Sequence, residues 1–195
     1  MRVFPPSCVP ALTLGVGLLL APLSFPSDLG RVKLNEAPVD YLKVTLSTDQ
    51  RVYKKGERIP FTLTMENVGD RPFYVNPSIG IGRCLGWLTL EIRVENGKGK
   101  VIPYRGLVAC SFIVGDKAAW VEKNCVVLER GQNFTHTGVL SPRSYEGFGK
   151  RGRYKLVAIV AFPPLRAGQD EAAAVRYPVW VGRAQSEPVW IEIAK

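Results

Sequence analysis

The stretch Ile59-Pro60-Phe61-Thr62-Leu63-Thr64-Met65-Glu66-Asn67 decides the fold class. Its large apolar side chains recur at every second position, with proline or polar residues between them. This period of two is that of a strand with one face toward a core and the other toward water. The residues that follow, Val68-Gly69-Asp70, have the composition of a turn. The stretch therefore predicts a half-buried strand that ends in a turn.

Similar strand patterns recur along most of the chain. They cover residues 41–46, 59–66, 73–75, 87–94, 101–104, 107–114, 120–128, 133–140, 154–162, 177–181 and 189–193. One stretch favours a helix, 169–175, and it is short. The 19 glycines and 15 prolines among 195 residues also favour a turn-rich chain. The sequence predicts an all-β fold, an antiparallel β-sandwich of about 7 to 10 strands.

The first residues have the pattern of an export signal. Residues 11–21, ALTLGVGLLLA, form an uncharged apolar run after Arg2. A membrane-spanning helix needs about 20 such residues, so the run fits a signal-peptide core better. We expect a signal peptide at 1–27, an extended leader at 28–39 and one β domain at 40–195, in a secreted or periplasmic protein. A leader retained as an anchor is the alternative; after cleavage we expect no stable membrane span.

Three cysteines remain after cleavage, Cys84, Cys110 and Cys125. In an oxidising compartment this number predicts one disulfide and one free thiol. Asn96-Gly97 is a strong hairpin signal, and numbers facing each other across it would sum to about 194, as those of Cys84 and Cys110 do. A second turn at 115–118 would place Cys110 opposite Cys125. We expect a bridged Cys110, with Cys84 favoured over Cys125 as its partner.

Several motifs resemble those of bacterial immunoglobulin-like domains. They lie at 52–63 with 66–69, at 127–132, at 152–156 and at 186–193. Gly152-Arg153-Tyr154 resembles the tyrosine corner of such folds, and this implies a Tyr154 hydroxyl bonded to the backbone upstream of Gly152. Leu156 stands where an antibody domain has its second cysteine, so the antibody-type disulfide is absent. The resemblance implies an immunoglobulin-like β-sandwich and no particular activity.

A second, weaker resemblance is to the fold of proteinase inhibitors of the Bacillus intracellular type. Some domains of this general sandwich shape belong to that family. The resemblance implies inhibition of a peptidase through a surface loop such as 141–152.

Catalytic and metal-binding motifs are missing from the sequence. The chain has one histidine, His136, in a predicted strand, and no GxSxG elbow. The glycine-rich run 80–86 is not followed by the Gly-Lys-Ser/Thr of a phosphate loop, and the aspartates lack the spacing of a calcium loop. We expect no catalytic residues, no metal, no cofactor and no enzymatic activity.

Basic residues form two local clusters in a chain whose net charge is +9. The first contains Arg51, Lys54, Lys55 and Arg58, and the second contains Arg143, Lys150, Arg151, Arg153 and Lys155. Such clusters attract polyanions, including acidic polysaccharides. Export makes nucleic acid the poorer partner, and we expect none. The alternative is that these side chains only face water.

The four tryptophans share one position in the two-residue alternation of their predicted strands. Trp87, Trp120, Trp180 and Trp190 all lie at positions opposite the nearest apolar row. This parity predicts aromatic rings on outer sheet faces, where they could hold sugar rings or a partner protein. The alternatives are coverage by the 28–39 segment or a bulge that shifts the phase.

Two classes of function follow from these patterns. The first is an exported, non-catalytic immunoglobulin-like module that binds a protein or glycan partner. The second is a secreted peptidase inhibitor that acts through a loop. The candidate binding residues of this chain are the four tryptophans together with Arg143, Lys150, Arg151 and Arg153, and the candidate structural residues are Tyr154, Asn96 and Gly97.

Overall fold

The fold is that of a computed structural model, which describes residues 31–33, 36–77, 80–81, 89–106, 116–162, 166–168 and 175–195. The expected signal peptide, the Cys84 and Cys110 pair, Trp87, the predicted strand 107–114 and the helix-favouring stretch up to residue 174 lie outside these ranges. Within them the chain is an all-β, sandwich-like fold with several antiparallel sheets and one α-helix.

The strands vary in length, and seven of the sixteen described strands have four residues or more. The other nine have two or three residues. In chain order the strands are β1 (Arg31–Lys33), β2 (Glu36–Ala37), β3 (Leu42–Thr48), β4 (Val52–Tyr53), β5 (Ile59–Asn67), β6 (Phe73–Val75), β7 (Gly80–Ile81), β8 (Thr89–Asn96), β9 (Val101–Ile102), β10 (Val126–Leu128), β11 (Asn133–Leu140), β12 (Gly152–Phe162), β13 (Arg166–Gly168), β14 (Val179–Trp180), β15 (Gly182–Gln185) and β16 (Val189–Ile193). Two 3-10 turns, Val39–Tyr41 and Pro142–Ser144, and helix α1 (Lys117–Asn124) complete the described elements.

The largest sheet is built around β12. Its order is β4-β16-β12-β8-β7, with β15 also paired to β12 and β9 to β8. Residues 156–160 of β12 are buried without alternation, as expected for a central strand covered on both faces. The short pairs β4–β16 and β7–β8 are parallel, whereas the long pairs are antiparallel.

A three-stranded antiparallel sheet, β11-β5-β3, packs against the large sheet, since β3 contacts β12, β15 and β16. The alternation predicted for β5 is confirmed, because Ile59, Phe61, Leu63 and Met65 are all buried. The predicted inward rows of β3 and of 90–94 in β8 are buried too. These rows meet in one hydrophobic core. Burial of this apolar surface supplies most of the favourable free energy of folding.

One element differs in type from the prediction. Residues 117–124 form helix α1, whereas a strand was expected from 120 to 128, and only 126–128 are in a strand. The Asp116 carboxylate accepts a hydrogen bond from the backbone N–H of Ala119 at 2.8 Å, so Asp116 acts as an N-cap. Ala118 and Val121, three residues apart, form the buried face. Asp116, which the sequence pattern placed in a turn at 115–118, is therefore the residue that begins a helix.

The segment expected to be an extended leader, 28–39, belongs partly to the sheets. β1 pairs with β13, and β2 pairs in parallel with β14 in a four-stranded sheet of order β10-β6-β14-β2. The following 3-10 turn, Val39–Tyr41, packs beside β15. These residues thus help to cover the core before β3 begins.

Candidate functional site

The first wall of the candidate site is the hairpin between β8 and β9. The Asn96 side-chain oxygen accepts hydrogen bonds from the backbone N–H groups of Lys98 and Lys100, both at 3.0 Å. Gly99 closes the turn with a positive φ of 76°, which glycine adopts without strain. The predicted Asn-Gly hairpin is confirmed, and its bonded turn holds Lys98 and Lys100 on an exposed rim.

The second wall is the loop before β12. Its aromatic rings form a series of edge-to-face contacts, with centroids 5.0 Å apart for Tyr104 and Tyr145, 5.7 Å for Tyr145 and Phe148, and 4.9 Å for Phe148 and Tyr154. The Tyr145 hydroxyl donates to the carbonyl oxygen of Ile92 at 2.7 Å. Burial raises the pKa of Tyr145, so this hydroxyl stays protonated and keeps donating. Such packing and bonding hold the loop against the sheet.

Tyr154 confirms the tyrosine-corner prediction. Its hydroxyl donates a hydrogen bond to the carbonyl oxygen of Lys150 at 2.8 Å, and the side chain is buried. Burial raises its pKa, although the bond to Lys150 works in the opposite direction. The bond leaves the side chains of Lys150 and Arg151 exposed.

A groove of about 630 Å³ lies between these two walls. Its lining includes five basic side chains: Lys98, Lys100, Lys150, Arg151 and Arg153. The lining includes one acidic residue, Glu146, which forms an ion pair with Arg105 at 2.8 Å. In the part of the chain that the structure describes, none of the five basic side chains pairs with a carboxylate. The groove therefore carries an excess of positive charge facing water.

An exposed tryptophan borders the groove. The guanidinium of Arg153 lies 5.3 Å from the centroid of the Trp190 ring, within the range of a cation–π interaction. Trp190 is 45% exposed, as its parity predicted. Lys155 of β12 faces Trp190 of β16 in the strand register and forms an ion pair with Glu95 at 2.9 Å. The arrangement places one aromatic ring beside one cation on the outer face of β12 and β16.

The other basic cluster lies at the same end of this sheet. Gly152 of β12 pairs with Ile193 of β16, which pairs in turn with Tyr53 of β4. Lys54 and Lys55, which follow Tyr53, are therefore near the end where 150–151 enter β12. The sheet thus brings together two clusters about 100 residues apart in sequence. We call this surface, formed by Lys54, Lys55, Lys98, Lys100, Lys150, Arg151 and Arg153, the basic end.

The remaining site residues expected from sequence are dispersed. Trp180 is 1% exposed, which contradicts the outward parity. Its neighbours Val179 and Val181 are also buried, and its indole N–H donates to the carbonyl oxygen of Val39 at 3.1 Å. Alternation fails here because both faces of this short strand are buried in the core, and the main chain at Val39 lies beside the Trp180 indole.

Two further predicted binding residues lie outside the groove lining. Trp120 is partly buried on α1 instead of on a strand. Arg143 is exposed on the 3-10 turn Pro142–Ser144. Neither residue is part of the groove lining.

The register predicted for the cysteines is wrong where the structure describes it. Val94 pairs with Ile102 and Glu95 with Val101, so facing numbers sum to 196 rather than 194. The hairpin loop is longer than a two-residue Asn-Gly turn. The backbone N–H of Asn96 donates to the carbonyl oxygen of Lys100, and the backbone N–H of Gly99 donates to the carbonyl oxygen of Asn96. The second turn is absent, since 116–124 form the helix and its cap. Cys125 is free, and the Cys84–Cys110 pairing remains a prediction.

Sequence reasoning did not identify Lys98 and Lys100 as site residues. They follow a hairpin signal directly, in Asn96-Gly97-Lys98-Gly99-Lys100, so the signal was present. It also missed a polar link between α1 and β6, where the Tyr74 hydroxyl donates to Glu122 at 2.5 Å and the backbone N–H of Arg176 donates to the same carboxylate at 2.9 Å. These two bonds hold the pKa of Glu122 below its usual value.

Comparison with protein-family models finds no match, and comparison with curated proteins finds none. Among the described residues no group of three or more histidine, cysteine or acidic side chains is placed to bind a metal. His136, the one histidine, lies on β11 with its ring 6.3 Å from that of Phe61. No helix within the described ranges is long and apolar enough to cross a membrane.

Proposed function

We propose that this chain is an exported, non-catalytic module that binds a glycan at the surface around Trp190. The observation that carries the proposal is the pairing of the half-exposed Trp190 ring with the Arg153 guanidinium on a sheet face. Flat aromatic rings pack on the apolar faces of sugar rings, and guanidinium groups donate several hydrogen bonds to hydroxyl or acidic groups. The export part of the proposal rests on the apolar run 11–21.

The rigidity of this surface also supports a binding role. β12 is paired with both β8 and β16, and Lys155 is tied to Glu95 across the β8–β12 pair. A preformed site on paired strands loses little conformational entropy when a ligand binds. A partner protein remains the other ligand class for the same surface.

A glycan array covering neutral and acidic glycans tests the proposal. We expect binding by the wild-type chain and its loss in Trp190→Ala. Val139→Ala is the matched control, because Val139 is similarly exposed at 48% but lies on β11 in the other sheet. Binding that survives Trp190→Ala, or that both variants lose, contradicts a site at Trp190.

Peptidase inhibition is the second candidate, and one observation favours it. The loop 141–152 is anchored by the bonds of Tyr145 and Tyr154 while Lys150 and Arg151 stay exposed. A rigid loop with basic side chains suits a peptidase that cleaves after lysine or arginine. Inhibition of trypsin that Arg151→Ala abolishes would support this candidate, whereas simple cleavage after Arg151 would count against it.

A further inference from the structure

We propose that the groove binds a linear acidic polysaccharide, with its carboxylate or sulfate groups held by Lys98, Lys100, Lys150, Arg151 and Arg153. This inference rests on the proposed glycan-binding function and names the class of glycan. It starts from the five basic side chains that line a single groove of about 630 Å³. A volume of this size lies within the range of ligand sites, about 300–1,000 Å³.

Among the described residues, the carboxylates near the groove form no ion pair with its five basic side chains. Glu146 pairs with Arg105, and the Glu57 side chain accepts a hydrogen bond from the backbone N–H of Lys54. Asp49 accepts from the hydroxyl of Tyr53. Glu192 faces Arg153 in the β12–β16 register, yet the Arg153 guanidinium lies over Trp190. Within the groove lining itself, five basic residues stand against one acidic residue, Glu146, which is paired with Arg105.

Hydrogen bonds fix the main chain of both walls. Lys98 and Lys100 stand on a turn bonded to the Asn96 side chain, and Lys150 accepts the Tyr154 bond through its main chain. Both walls therefore present their charges at a defined spacing. A repeated row of anionic groups gains from this spacing, because each contact after the first is made at a high effective concentration.

The ligand would extend from the groove to Trp190. Arg153 lines the groove and also contacts the Trp190 ring, so it belongs to both surfaces. A sugar chain has what both surfaces need, namely anionic groups for the groove and ring faces for the indole. A single-stranded nucleic acid could also combine phosphates with stacking bases, and the test separates the two.

The experiment measures binding of the full chain to polygalacturonate, dextran sulfate and neutral dextran by isothermal titration calorimetry. We expect binding to one or both acidic polymers and none to neutral dextran. Affinity should fall steeply between about 50 and 200 mM salt, as expected for multiple ionic contacts. The carboxylate and sulfate polymers show which anionic group the groove prefers.

The decisive variant is Lys150→Ala/Arg151→Ala, which leaves the carbonyl that accepts the Tyr154 bond in place. Loss of two of the groove's cations should weaken binding by about tenfold or more. The matched control is Arg71→Ala/Arg130→Ala, which removes the same charge from exposed positions. These two arginines lie far from the groove. Both are close to Asn67, the last residue of β5, and Asn67 pairs with Leu42, which directly follows the Val39–Tyr41 turn. That turn packs on β15, which pairs with the Phe162 end of β12, about 30 Å from Gly152.

Equal losses in the two double variants would overturn the groove, since only overall charge would then matter. Equal or tighter binding of oligothymidine, with the same dependence on Lys150 and Arg151, would overturn the assignment to a polysaccharide. If no acidic polymer binds while an array glycan still binds through Trp190, the groove inference fails and the proposed function stands. The opposite outcome is that acidic polymers still bind the groove of Trp190→Ala and that no array glycan depends on Trp190. In that case the proposed glycan site at Trp190 fails and the groove inference stands.

Discussion

The hydroxyl of Tyr154 donates a hydrogen bond to the carbonyl oxygen of Lys150, 2.8 Å away. The bond closes the loop that forms one wall of the groove and fixes the main chain from which Lys150 and Arg151 project. The Phe148 ring packs on Tyr154 with centroids 4.9 Å apart. One buried tyrosine therefore links the stability of the core to the position of the basic side chains.

Replacing Tyr154 with phenylalanine removes this bond and keeps the ring. We expect a loss of about 1 kcal/mol in the free energy of unfolding, the usual value for a buried hydrogen bond, with the Lys150 carbonyl left without its partner. Urea denaturation measures it. Tyr177→Phe is the control, because the contacts of Tyr177 are those of its ring with Tyr74 and Arg176. Equal stability of wild type and Tyr154→Phe would contradict the corner.

Asn67 is a buried polar side chain that forms three hydrogen bonds with the backbone. Its amide donates to the carbonyl oxygens of Arg71 at 2.9 Å and Leu128 at 2.8 Å, and its oxygen accepts from the N–H of Gly69 at 2.9 Å. Asn67→Ala would leave these backbone groups unpaired. We expect a loss of about 1–3 kcal/mol in unfolding free energy.

The control for Asn67 is Asn133→Ala. Asn133 is exposed at the start of β11, so its replacement should change the unfolding free energy by less than about 0.5 kcal/mol. Both variants can be measured in the same denaturation series. Similar effects in the two variants would contradict the bonding role of Asn67.

Alkaline pH should destabilise the fold through Cys125 and through the tyrosines whose pKa burial raises, among them Tyr74 and Tyr145. Burial raises the pKa of the Cys125 thiol from 9.0 to about 12, and the nearby Glu122 charge adds to the effect. Burial, together with the bond to Glu122, raises the pKa of Tyr74 from 10.0 to about 12. Because the folded values are raised, their contribution to stability is complete below about pH 9 and is lost as pH rises toward about 12.

Unfolding free energies measured from about pH 8 to about pH 11 test this window. Stability should decline progressively above about pH 9. Cys125→Ala removes the contribution of the thiol. The unfolding free energy of this variant should therefore begin to fall at a higher pH, near the ordinary pKa of tyrosine at about 10. A wild-type profile that stays flat up to about pH 11 would show that none of these groups is protected by burial.

Tryptophan quenching should separate Trp190 from Trp180. Trp190 is 45% exposed and lies beside Arg153, whereas Trp180 is 1% exposed. Iodide, an anion attracted to the basic surroundings, should quench an accessible fraction of the fluorescence that Trp190→Phe reduces. Trp180→Phe should leave that fraction in place. Quenching that is unchanged in Trp190→Phe would place the accessible indole elsewhere.

Peptide mapping without reduction tests the cysteine assignment. Cys125 is free at the end of α1, so we expect it to be alkylated after unfolding and the remaining pair, Cys84 and Cys110, to be linked. The expectation for that pair now rests on elimination in an oxidising compartment rather than on register. A disulfide that includes Cys125 would contradict this assignment.

Local patterns of the chain were sufficient for most of the strands. The rows in β3, β5 and β8 were predictable because strict alternation of apolar and polar side chains matches a sheet with one buried face. β11 and β16 were predicted with the bounds that the structure has. The Asn96-Gly97 turn and the Tyr154 corner could be anticipated because each depends on residues close together in sequence.

Tertiary structure decided what local patterns could not. Trp180 is buried because both faces of β14 lie in the core and Val39 packs beside the indole, and parity carries no information about such coverage. Helix α1 forms because Asp116 caps it and Val121 meets the core, where the sequence pattern favoured a strand. The groove exists only after β8 pairs with β12, and the basic end only after β4 pairs with β16. The sequence determines which charges the chain carries. Long-range strand pairing determines which of these charges become neighbours, because it joins segments that are far apart along the chain.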